Sequence, residues 1–149
     1  MSAEPYAPLN PVPTLPAWKA LALVWLPSFA AFVVADLCWI AWVIGGAFAE
    51  ALGQLLRPRP DLCAGALAWA VIVAGVWHFV GSRAHSARHA LTEGLILGAV
   101  IYAAYEATNM SVISTWTWGI AAADTAWGSF ACGATAALQQ WLRTRVAAA

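Results

Sequence analysis

The sequence has few charged residues and no long polar stretch. Only 9% of its 149 residues are charged, whereas soluble domains carry about a quarter. The seven basic and seven acidic side chains cancel, which argues against a nucleic-acid partner and against electrostatic attachment to a membrane surface. The sequence outside the apolar segments is too short to bury a core of its own, which excludes an appended soluble catalytic domain. We therefore predict an integral membrane protein.

Cysteine motifs and targeting signals are also absent from the sequence. The three cysteines lie in or near apolar stretches, so neither a disulfide framework nor a paired-cysteine metal motif is indicated. The first residues lack the basic segment and the small-residue cleavage site of a signal peptide. Because prolines are concentrated there, we predict a proline-rich tail over residues 1–17, a membrane domain over 18–142 and a short basic tail over 143–149.

Four apolar stretches are each long enough to cross a bilayer, which requires about 20 residues in a helix. They cover approximately residues 18–49, 62–82, 90–110 and 116–142. Pro27 predicts a kink in the first helix, and Gly94 and Gly98 have the G-x-x-x-G spacing that allows close helix packing. We predict an all-α fold, an integral membrane bundle of four transmembrane helices.

The basic residues are distributed unequally between the two sides of such a bundle. One side would carry Lys19, Arg83, Arg88, Arg143 and Arg145, and the other would carry Arg57 and Arg59. The positive-inside rule then places both termini in the cytoplasm. Tryptophans near the predicted helix ends are expected to anchor at the headgroup level: Trp18, Trp116, Trp118 and Trp141.

Three carboxylates lie well inside the predicted helices: Asp36, Glu106 and Asp124. A charged group at the centre of a bilayer costs about 2.5–3.5 kcal/mol on insertion scales. Glu106 and Asp124 lie nine residues to either side of Thr115, in the short turn between the third and fourth helices. The two carboxylates should therefore lie at the same depth and be able to face each other, and Asp36 should lie toward the same half of the membrane.

Aromatic and polar residues accompany these acids. Asp36 with Trp39, and Asp124 with Trp127, repeat a D-x-x-W spacing that places acid and indole on one helix face. Donors for buried carboxylates also occur on the third helix. We predict a ligand-binding or proton-relay site formed by Asp36, Trp39, Tyr102, Tyr105, Glu106, Thr108, Asn109, Asp124 and Trp127. The alternative is that these groups only hold the helices together, since interhelical hydrogen bonds contribute about 0.6–2 kcal/mol each.

Three sequence blocks resemble those of a family of small bacterial membrane proteins, domain-of-unknown-function family 2177. The blocks are VADLCWI in the first helix, GAVIYAAYEATNM in the third and AAADTAWG in the fourth. The resemblance extends over about residues 32–142, and Glu106 occupies a position that is more often Asp in the family. It implies a four-helix architecture in the bacterial inner membrane and brings no established activity.

A histidine cluster lies between the second and third helices. If residues 82–93 are helical, His85, His89 and Glu93 share one face at a spacing that can bind a divalent metal. The alternative is a solvated basic turn that contacts lipid phosphates. Because the H-x-x-x-H spacing often occurs by chance, we predict no metal site.

Several classes of function remain open. The cluster could bind a small amphipathic ligand or relay protons; the protein could be a non-catalytic accessory or assembly subunit of a larger membrane complex. Paired carboxylates could also perform acid–base chemistry on a lipid-like substrate, as in an isomerase or cyclase. No catalytic or cofactor-binding motif in the sequence indicates a particular reaction, so the identity of any reaction and of any cofactor stays open. Convergence of the three acids on a cavity lined by Trp and Tyr would favour a ligand site, whereas direct pairing without a void would favour a structural role.

Overall fold

The computed structural model describes residues 14–149, which form four helices and no strands. The helices are α1 (Ala17–Leu55), α2 (Leu62–Gly81), α3 (Ala87–Val112) and α4 (Trp118–Ala147). The predicted all-α architecture is therefore confirmed. Most of the tail predicted for residues 1–17 lies outside the described residues. Residues 143–147, which we assigned to a C-terminal tail, continue α4.

Side chains in the loops determine where three of the helices begin. Asp61 accepts a hydrogen bond from the backbone N–H three residues later at the start of α2, as Ser86 and Thr117 do at the starts of α3 and α4. Asp, Ser and Thr are preferred at these positions because their oxygens satisfy N–H groups that lack a helical partner. The last residue of each loop therefore starts the next helix.

Helices α1, α2 and α3 are long and apolar enough to cross a membrane. The fourth helix is 30 residues long but contains more small and polar residues. It contacts each of the other three helices and buries more residues than any of them. Because its neighbours cover much of the surface of α4, this helix does not need an apolar surface all round.

Two wider, π-helical turns interrupt α1, at Leu21–Trp25 and at Ile40–Ile44. The first lies just before Pro27, the predicted kink position, where the proline ring and the missing N–H disturb a regular α-helical turn. The second ends next to Gly45, where an added Cβ would collide with the Ile40 carbonyl oxygen. Only glycine fits at Gly45, so the sequence accommodates this turn.

Helices α3 and α4 form the longest interface of the molecule. A Cβ added at Gly94 would lie 2.8 Å from the Cys132 carbonyl oxygen, and one added at Gly98 would collide with the Gly128 carbonyl oxygen. The Ser129 hydroxyl donates to the Leu95 carbonyl at 2.8 Å. The close approach predicted from the glycine spacing is therefore present.

Helix α1 runs antiparallel to α4. The Gln139 amide donates to the Ser28 hydroxyl near one end of the pair, at 3.3 Å, and the Thr115 hydroxyl donates to the Ala51 carbonyl at the other. The start of α1, the end of α4 and the loop over residues 82–86 lie together at what we call the terminal end of the bundle. The loops over residues 56–61 and 113–117 lie at the opposite end, the hairpin end.

Candidate functional site

Each of the three carboxylates that lie well inside the helices accepts a hydrogen bond from at least one tryptophan indole. We call this set the acid–indole layer; it consists of Asp36, Glu106 and Asp124 with Trp39, Trp69, Trp116 and Trp127. In the part of the chain that the structure describes, no hydrogen bond joins two of the carboxylates. Glu106 and Asp124 are therefore not hydrogen-bonded to each other, and their approach across the hairpin stays a prediction.

The two D-x-x-W segments form a reciprocal pair. The Trp39 indole of α1 donates to Asp124 Oδ1 at 3.1 Å, and the Trp127 indole of α4 donates to Asp36 Oδ1 at 2.8 Å. The two indoles stack with ring centroids 5.0 Å apart and planes within 6°. Because the helices are antiparallel and each acid shares a face with its indole, the indole of each segment can donate to the carboxylate of the other. We call this arrangement the D-x-x-W clasp.

Asp36 has a second indole donor, which comes from α2. Trp69 donates to Asp36 Oδ2 at 2.7 Å, so this carboxylate joins α1, α2 and α4. Trp69 was not among the predicted site residues. Its depth within a helix that has no formal charge was the available signal, because an indole N–H at that depth needs an acceptor.

Glu106 is the most deeply buried of the three acids, with 1% of its surface exposed. It accepts from the Trp116 indole at 2.6 Å and from the Asn109 amide at 3.3 Å. Trp116 is only 7% exposed, so the prediction that it anchors at the headgroup level is wrong. The turn before α4 folds the Trp116 ring inward, where its N–H finds a buried acceptor.

A crevice of about 370 Å³ lies between α2 and α3. Its lining consists of Asp36, Ala68, Trp69, Ile72, Ile101, Tyr102 and Tyr105. Asp36 is the most buried of these residues, whereas Ala68 and Tyr105 are exposed to the surroundings of the bundle. The crevice therefore opens toward the lipid-facing surface and ends at a carboxylate.

Tyr102 is held in the crevice by a glycine on the neighbouring helix. Its ring packs against Gly128 so closely that an added Cβ would collide with it. Among residues 14–149, the Tyr102 hydroxyl has no hydrogen-bond partner. This phenol is therefore positioned by packing and not by a hydrogen bond.

The other predicted residues occupy different places. Glu106 lines a separate groove of about 630 Å³, formed mostly by small residues of α3 and α4. Thr108 is exposed and its hydroxyl donates to the Ala104 carbonyl at 2.8 Å, within its own helix. The three acids therefore do not converge on one cavity, and Asp36 is the acid that lines the aromatic crevice.

The histidine cluster lies at the start of α3. This helix begins at Ala87, so the condition that residues 82–93 are helical is not met and His85 lies outside the helix. His89 Nε2 is 3.9 Å from Glu93 Oε1, and both side chains are about half exposed. Within residues 14–149, no group of three His, Cys, Asp or Glu side chains is placed to hold a metal ion.

A second buried polar cluster, which the sequence analysis did not single out, lies toward the terminal end. Gln139 is fully buried, and its amide donates to Ser28 Oγ and to the Val73 carbonyl, both at 3.3 Å. Arg143 is also buried, and its guanidinium donates to the carbonyls of Ser82 and Ala84. This Gln139–Arg143 cluster ties α4 to the loop between α2 and α3.

Comparison with known proteins identifies the family. The family model described as "Predicted membrane protein (DUF2177)" matches residues 21–141. The match covers most of the chain, including the acid–indole layer, and the protein therefore belongs to this family. No curated protein and no solved structure matches the chain.

Proposed function

We propose that this member of the DUF2177 family binds a small amphipathic molecule in the crevice between α2 and α3. One observation carries the proposal: the buried carboxylate of Asp36 lines a crevice whose other walls are aromatic and aliphatic. Small-molecule sites typically combine apolar walls with a few placed polar groups. In this site the carboxylate would orient the polar end of the ligand, and Trp69, Tyr102 and Tyr105 would cover its apolar part.

The hydrogen bonds to Asp36 prepare this carboxylate for a ligand. Indoles from α2 and α4 hold its two oxygens, which limits the orientations of the carboxylate. An ionised carboxylate has about four acceptor positions, so two indole donors leave room for a further hydrogen bond. The acid is thus preorganised, which reduces the entropy that binding must remove.

Ligand binding fits the layer better than a proton relay does. The clasp separates Asp36 from Asp124 by two indoles, and an indole N–H donates a hydrogen bond but cannot accept one. A chain of proton transfers therefore cannot run through the tryptophan side chains. The acid–base enzyme hypothesis is also less favoured, because it needs a second carboxylate in the crevice and Glu106 lines a separate groove.

The proposal includes a placement in the membrane. All four helices cross the bilayer of the bacterial inner membrane, with both termini in the cytoplasm. Helix α4 supports this because its 30 residues span about 45 Å at 1.5 Å per residue, and it packs along α3. The terminal end also carries the larger number of basic residues.

Cysteine labelling in intact bacteria tests this placement. In a Cys63→Ser background, Pro58→Cys at the hairpin end should react with an impermeant maleimide, whereas Ser86→Cys at the terminal end should react only after lysis. Labelling of Ser86→Cys in intact cells would contradict the orientation.

Native mass spectrometry of the purified protein tests the ligand proposal. Wild-type protein in mild detergent should carry a small-molecule adduct that Trp69→Phe loses, because that change removes an indole donor from Asp36 and reshapes the crevice wall. Trp42→Phe is the matched control, since Trp42 is 81% exposed on the outer face of α1. If the adduct is absent and a protein co-purifies in fixed ratio, the accessory-subunit hypothesis replaces the proposal.

A further inference from the structure

We infer that the ligand of the crevice is a lipophilic cation, an apolar molecule with a protonated amine, which enters sideways from the lipid. This inference rests on the proposed function and specifies its ligand class. It follows from the balance of charge in the layer, from the chemistry of the crevice walls and from the position of the opening.

The acid–indole layer has three carboxylates and no basic side chain. Within residues 14–149, the lysine and arginine side chains lie near helix ends or in loops: Lys19, Arg57, Arg59, Arg83, Arg88, Arg143 and Arg145. Indole N–H groups stabilise a carboxylate by hydrogen bonding, but they carry no net charge. A cation in the crevice would supply the missing counter-charge at Asp36, where low polarity makes the attraction strong.

The crevice walls suit the same kind of ligand. Trp69, Tyr102 and Tyr105 bring three electron-rich rings to a space that also contains the Asp36 carboxylate. Aromatic rings attract ammonium groups through their negative faces, and desolvation increases that attraction. An alcohol of the same shape could accept or donate a hydrogen bond but would gain neither of these charge interactions, and a carboxylate would be repelled by Asp36.

The position of the opening indicates entry from lipid. Tyr105, which is 59% exposed, and the exposed Ala68 lie on the lipid-facing side of α3 and α2. Asp36 is the central residue of the 39-residue helix α1, far from either end of the bundle. A ligand that reaches it through this opening must first partition into the bilayer, so it needs an apolar body. The volume of about 370 Å³ lies at the small end of the roughly 300–1,000 Å³ typical of ligand pockets.

A matched series of probes tests the charge requirement. The wild-type chain in lipid nanodiscs is titrated with phenylbutylamine, phenylbutanol and phenylvalerate, which share the same phenylbutyl group and differ in charge. Tryptophan fluorescence reports binding, and protein-free nanodiscs containing a membrane-soluble tryptophan analogue correct for partitioning. We expect the amine to bind at least about tenfold more tightly than the alcohol, and the acid to bind most weakly. Equal binding of amine and alcohol would overturn the inference and leave the proposed function intact, whereas no saturable binding of any probe would overturn both.

Variants assign the preference to particular residues. Asp36→Asn removes the charge with little change of shape and should abolish the preference for the amine while the alcohol still binds; Glu50→Gln, at an exposed acid near the hairpin end, is the control. A preference for the amine that persists in Asp36→Asn would overturn the inference.

If Asp36→Asn does not fold, Tyr105→Leu serves instead, because Tyr105 is exposed and makes no hydrogen bond among the described residues. It should weaken binding of the amine more than binding of the alcohol, and an equal loss for both would count against the cation site.

Discussion

The molecule contains two buried polar regions that differ in composition and in what surrounds them. In the Gln139–Arg143 cluster, side-chain donors reach three backbone carbonyls and the Ser28 hydroxyl across helices and a loop. In the acid–indole layer, the interhelical hydrogen bonds to the acids join side chains only, and Asp36 also lines an open crevice. Burial and polarity therefore do not distinguish a structural cluster from a candidate binding site. The distinguishing feature is accessible space beside a polar group that is already held in position.

Arg143→Met should produce the largest loss of stability. It removes two charge-assisted hydrogen bonds and leaves the Ser82 and Ala84 carbonyls without their donor, which should lower the free energy of unfolding by about 3 kcal/mol. Detergent-induced unfolding followed by circular dichroism measures the change. The control is Arg145→Met, two residues further along α4, where exposure should limit the effect to about 0.5 kcal/mol. If Arg143→Met changed amine affinity as much as Asp36→Asn does, the two polar regions would not be independent.

Gly128→Ala should affect both the proposed binding site and the stability of the protein. The new Cβ would collide with the Tyr102 ring and force it to move, which should cost about 1–3 kcal/mol of stability and weaken amine binding about tenfold. The same fluorescence titration and unfolding measurement report both quantities. Gly75→Ala is the matched control, because an added Cβ there has no neighbour within 4 Å. Unchanged binding in Gly128→Ala would remove Tyr102 from the proposed site.

Substitutions at Asp124 test the clasp. Asp124→Ala leaves the Trp39 indole without an acceptor and should cost about 1–2 kcal/mol, whereas Asp124→Asn retains an oxygen that can accept the bond and should cost less. Thermal unfolding of the two variants in the same nanodiscs gives the comparison. An equal loss in both would argue against a hydrogen bond that contributes to stability.

The smallest effect is expected at the exposed histidines. His89→Ala removes a contact of 3.9 Å with Glu93 between two half-exposed side chains, which should change stability by less than about 0.5 kcal/mol. Addition of Zn²⁺ or of a chelator should leave the melting temperature of the wild-type protein unchanged. A rise with Zn²⁺ that His89→Ala abolishes would establish the metal site that we do not expect.

Much of the fold could be predicted because membrane helices follow local rules. Apolar length indicated the helices, and the positions of Asp61, Ser86 and Thr117 are those of residues that start them. The site was predicted less completely. Periodicity placed Asp36 beside Trp39 on one helix face, but it could not show that each would bond to the opposite helix. The spacing of the histidines was a weaker guide, because Ser86 starts α3 after His85.

The sequence by itself determined which segments are helical, which helix positions the three acids occupy and where α3 can approach α4, because hydropathy, helical rise and glycine size act within a segment. Only the tertiary structure decided which indole meets which acid, why Trp116 faces inward and which acid borders open space. Those outcomes depend on how helices distant in sequence pack. Asp36 lines the crevice because α1 brings it to where side chains of α2 and α3 leave a gap, and no periodicity within one helix encodes that gap.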